Sequence, residues 1–62
     1  DAYSNLGATF HNMGQVKEAI PFYERAIQIQ PTSGILRNLS MAYQSIGDSA
    51  KANYYANQAG LY

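Results

Sequence analysis

The sequence predicts an all-α fold, two antiparallel helical hairpins stacked as a short α-solenoid, on three observations. First, a pattern of large and small residues recurs at a fixed offset. Asn5-Leu6-Gly7, Phe10, Gly14, Ala19 and Ala26 return as Asn38-Leu39-Ser40, Tyr43, Gly47, Ala52 and Ala59, each 33 positions on (39 − 6 = 33). A period of that size corresponds to one helix–turn–helix unit used twice. Second, apolar residues inside each copy fall three and four apart, the spacing of one helical face. Third, Gly14, Pro31, Gly47 and Gly60 stand where those periodic segments stop.

The first helix is expected over Ala2 to Met13, with Tyr3, Leu6, Gly7, Phe10 and Met13 on its apolar stripe. Gly14 ends it by supplying a left-handed turn. The second runs from about Val16 to Ile29, with Val16, Ala19, Ile20, Tyr23, Ala26 and Ile27 inward and Lys17, Glu18, Glu24 and Arg25 on the solvated side. Pro21 falls about one turn in, where the carbonyl it crowds belongs to Lys17 at the helix end, so it is tolerated with a slight bend. Pro31 stops this helix. Thr32 or Ser33 can cap the third through a hydroxyl; it carries Leu36, Leu39, Ser40, Tyr43 and Ile46 and stops at Gly47. Asp48 or Ser49 caps the fourth, which bears Ala52, Tyr55, Ala56 and Ala59 and ends near Gly60. That last face is alanine-rich and buries little area. Either it closes the stack as a half-polar cap or it expects another helix.

Composition narrows the function. With 62 residues the chain is one domain at most, and a chain of about 60 residues buries only about 60% of the surface its unfolded form exposes. Cysteine is absent, so neither disulfides nor thiolate metal sites support that core. Four basic and four acidic residues balance to zero and are scattered, whereas a nucleic-acid or anionic-membrane surface would show a basic stripe. No apolar run approaches the roughly 20 residues of a membrane span, and no secretory leader pattern is visible. A soluble compartment is expected, cytoplasmic by default. The chain opens inside a repeat, so it is expected to be a piece of a longer array.

Taken together, Tyr3-x-x-Leu6-Gly7-x-x-Phe10, Ala19-x-x-x-Tyr23, Ala26 and Pro31 resemble the tetratricopeptide repeat. Tyr3 stands for the family's leading tryptophan and Tyr23 for its later phenylalanine. A second unit matches through Leu36, Leu39, Tyr43, Gly47, Ala52 and Ala59. It departs with Ser40 for the glycine, Ala56 for the aromatic and no closing proline, and the period is one residue short, at the Pro31-Thr32 linker. The resemblance implies a right-handed solenoid with repeats at 1–32 and 33–62, and a non-catalytic scaffold for protein–protein interaction. It also implies a concave groove lined by the first helix of each hairpin.

On the first helix that face is Ser4, Asn5, Ala8, His11 and Asn12; on the third it is Arg37, Asn38, Met41, Gln44 and Ser45. Asn5 and Asn38 stack in equivalent places, and an amide with two donors and an acceptor suits the backbone of an extended peptide. The expected peptide site is therefore Asn5, Ala8, Asn12, Arg37, Asn38 and Met41. Arg37 can clamp a carboxylate or remain a solvated charge, and Met41 offers adaptable apolar contact. The first helix adds no cation, which argues against a dedicated binder of carboxylate tails.

Catalysis is not expected. His11 is the single histidine, and its neighbours at helical reach (Gly7, Ala8, Gly14 and Gln15) include no carboxylate to orient it. No converging ligand set suggests a metal, no glycine-rich phosphate loop suggests a nucleotide, and no cofactor is implied. The alternative function is self-association, by docking through the terminal helix or by swapping hairpins with a second copy: the face of Ala52, Tyr55, Ala56 and Ala59 is expected to be exposed in a monomer and protected in an oligomer.

Overall fold

The computed structural model describes residues 2–60. Four helices follow in order, α1 (Ala2–Asn12), α2 (Val16–Ile29), α3 (Ser33–Ser45) and α4 (Ser49–Gln58). α1 packs on α2 and α3 on α4; the two hairpins join through α2 and α3, while α1 and α3 touch only marginally. The result is a slab of 27 × 25 × 14 Å.

The two hairpin turns are copies of each other, bond for bond. In the first, the Gly14 N–H donates to the His11 carbonyl at 3.0 Å and the Gln15 N–H to Phe10 at 2.9 Å. In the second, Gly47 donates to Gln44 at 3.1 Å and Asp48 to Tyr43 at 2.9 Å. Gly14 and Gly47 hold φ of +81° and +86°, a conformation that costs other residues a clash at Cβ. The sequence period is thus a structural period. Between hairpins, Gln30 is extended and Pro31 follows it, which turns the chain out of α2 before Thr32 caps α3 by accepting from the Ile35 N–H. Asp48 caps α4 by accepting from the Lys51 N–H at 3.2 Å. Gln15, at the matching place before α2, makes no side-chain cap.

The core is Ala19, Ile20, Tyr23, Leu39, Ala42, Tyr43 and Ala52, with Phe10, Val16, Ile27, Ile35 and Tyr55 packed against it. Small residues set the helix spacing. Gly7 is buried under the Tyr23 ring; a Cβ there would sit 2.8 Å from two ring carbons. At the matching place in the second hairpin stand Ser40 and Ala56. The small Ala56 leaves room for a side chain, and the Ser40 hydroxyl uses it to donate to the Ala52 carbonyl at 2.7 Å. Ser40 and Ala56, two of the three departures of the second repeat, are thus one compensated exchange.

The structure corrects four expectations. Leu6 and Met13, placed on the inner stripe of α1, are 44% and 61% exposed, because no helix covers that side of α1. Ile46, at the end of α3, is likewise exposed. Glu24 is half-buried rather than solvated, accepting a 2.5 Å hydrogen bond from the Tyr43 hydroxyl across the α2–α3 seam. Ala52 and Ala56 are 2% and 7% exposed, and Tyr55 and Ala59 are half-buried. That alanine face is packed on α3 inside the hairpin instead of standing exposed in the single chain.

Candidate functional site

α1 and α3 make little contact with each other, and Gln30 and Thr32 of the α2–α3 linker border the space beside their N-terminal halves. The space left is an open groove of about 430 Å³. One wall is Ser4, Asn5 and Ala8 of α1; the other is Arg37 and Asn38 of α3. Gln30, Thr32, Gly34 and Ile35, from the linker and the first turn of α3, complete it. Asn5 and Asn38 come together because their helices are related by the repeat, so the same face of each turns to the same side.

Of the six expected peptide-site residues, Asn5, Ala8, Arg37 and Asn38 line this groove, whereas Asn12 and Met41 do not. Both of those lie farther along their helices, exposed, with Met41 at 54%. His11 is half-buried rather than open, its ring edge-on to Tyr23 at 6.2 Å, so it belongs to the α1–α2 contact. Gln30, Thr32, Gly34 and Ile35 were not expected in the site. For Gly34 the available signal was its place three and four residues before Arg37 and Asn38, on the same face of α3.

The groove's lining is polar and nearly uncharged. Two asparagines and one glutamine offer paired donors and acceptors, and among the described residues Arg37 is its single charge and no carboxylate lines it. Two of the other three cations lie over rings elsewhere, Arg25 at 5.8 Å from the Tyr3 ring centre and Lys51 at 5.4 Å from that of Tyr43. Among the described residues, no group of three or more His, Asp or Glu side chains could hold a metal ion, and no helix is long and apolar enough to cross a membrane.

Aromatic side chains hold the helices that carry the groove. Phe10 stacks on Phe22 at 5.3 Å within the first hairpin, and Tyr43 on Tyr55 at 5.6 Å within the second. Burial pushes the hydroxyls of Tyr23, Tyr43 and Tyr55 above their ordinary range, and the Glu24 carboxylate adds to the shift at Tyr43 and Tyr55.

Hairpins of this geometry, repeated bond for bond, with a glycine under an aromatic ring, agree with the comparison to known families. Residues 1–33 match the tetratricopeptide repeat. The chain belongs to that family. The four helices, with α3 and α4 repeating the turn of α1 and α2, are consistent with two such repeats. No curated protein and no solved structure matches the chain. Tetratricopeptide repeats are in general protein–protein interaction modules and typically non-catalytic scaffolds.

Proposed function

We propose that this tetratricopeptide-repeat chain binds an extended peptide or protein segment along the groove of Asn5, Ala8, Arg37 and Asn38, with Asn12 and Met41 extending the contact along α1 and α3. The supporting observation is the shared groove itself, in which amides from equivalent positions of both repeats face one space beside a single cation. Such a lining suits a peptide main chain, whose donors and acceptors alternate, better than an apolar helix. A neutral or mildly acidic segment fits Arg37, the one charge among the described lining residues. Two repeats, 1–32 and 33–62, give a short site and hence a weak interface. Further repeats stacked on the open side of α1 would lengthen it.

The test uses peptides selected against the chain from a phage-displayed random heptapeptide library. Replacing Arg37 and Asn38 together by alanine is expected to weaken the selected peptides roughly tenfold or more, about 1.4 kcal/mol, at unchanged helicity. Equal affinity in the double variant would remove the groove assignment. Self-association is the alternative: with Ala52 and Ala56 buried within the hairpin, it would proceed by exchanging hairpins between two copies rather than by docking on an open alanine face.

A further inference from the structure

Gly34, in the groove, is a residue that the fold does not account for. It is the second residue after the Thr32 cap of α3. Its backbone does not require glycine: the positive-φ glycines are Gly14, Gly47 and Gly60. Packing does not require it either. A Cβ at Gly34 would meet nothing within 4 Å, whereas at Gly7 it would strike the Tyr23 ring. Glycine is also the poorest helix former after proline, because it gives up the most backbone freedom. On grounds of stability any ordinary residue would serve α3 better. A side chain there would enter open space, and Gly34 lines the groove, three and four residues before Arg37 and Asn38 on the same helical face of α3.

We propose that Gly34 is a specificity-determining position of this groove, its missing side chain leaving room for a peptide main chain to lie against the first turn of α3. The inference rests on the groove reading above. Amide recognition requires the bound backbone to come within about 3 Å of the Asn5 and Asn38 side chains. A side chain at residue 34 would occupy the volume through which that backbone must pass. The ligand class that follows is an extended segment bound through its main chain, not one seated by a bulky anchor.

The experiment compares wild type, Gly34→Ala and Gly34→Leu in thermal melts, and in titrations with the selected heptapeptides followed by amide NMR. Both variants are expected to melt no lower than wild type, with Gly34→Ala about 2–5 °C higher. Affinity is expected to fall about threefold in Gly34→Ala and tenfold or more in Gly34→Leu, in order of size. A lower melting temperature for Gly34→Ala would show that the fold needs the glycine and overturn the proposal. Wild-type affinity in Gly34→Leu, with the peptide still perturbing Asn5 and Asn38, would overturn it while leaving the groove reading intact. If no library peptide perturbs Asn5 or Asn38 in the wild type, the groove reading falls and the role of Gly34 with it.

Discussion

Tyr23 and Gly7 form a pair in which each residue explains the other. Tyr23 is almost fully buried, and its ring occupies the space a side chain at residue 7 would need. Gly7→Ala forces either the ring or the α1–α2 spacing to give, a form of overpacking that costs about 1–3 kcal/mol. Urea denaturation should show that loss, and an unchanged midpoint would mean the ring moves freely. Tyrosine burial also has a consequence for alkaline stability. Tyr23, Tyr43 and Tyr55 have hydroxyls raised above the ordinary value of 10.0, by burial first. The folded chain therefore keeps those protons where the unfolded chain releases them, so stability is full below about pH 10 and declines as pH rises above it. Tyrosinate absorbance followed beside helical circular dichroism is the check. These three residues should ionise together with loss of helix; ionisation of every tyrosine near pH 10 with the helices intact would contradict it.

Each helix end is an opportunity that the two repeats use differently. Asp48 caps α4 through its carboxylate, while Gln15, at the equivalent place before α2, leaves the first amides of that helix without a side-chain partner. A good N-cap contributes about 1 kcal/mol, equivalent to roughly 4–8 °C in a domain of this size. Asp48→Ala should lower the melting temperature by about that amount. Gln15→Asp should raise it by a smaller step, because the turns before α2 and α4 share the same backbone hydrogen bonds. A Gln15→Asp variant that melts below wild type would show that the two turns are not interchangeable. Pro21 lies inside α2 without ending it, consistent with a position where the displaced carbonyl is near the helix start.

Across the whole molecule, the same residue type at the same repeat position meets different surroundings. Leu39 is fully buried between the hairpins, whereas Leu6 is 44% exposed on the uncovered side of α1. Leu39→Ala is expected to cost about 2–5 kcal/mol through lost burial and the cavity left behind, enough to unfold much of so small a domain. Leu6→Ala should cost under about 1 kcal/mol. Equal losses in chemical denaturation would mean that α1 has a covering partner in solution. The sequence by itself determined the helices, the hairpin turns at Gly14 and Gly47, the narrow choice of caps before α3 and α4, and the repeat-equivalent places of Asn5 and Asn38. All of these depend on local spacing and on residues with special backbone or side-chain chemistry. Only the tertiary structure decided that Leu6 and Met13 face outward, that Ala52 and Ala56 are used up on α3, and that Glu24 bonds Tyr43 across the seam. It alone brought Gln30, Thr32, Gly34 and Ile35 into the groove. The reason is physical: a repeat's periodicity says which face of a helix is apolar, but burial of that face depends on whether another helix lies against it, and that is a property of the stack.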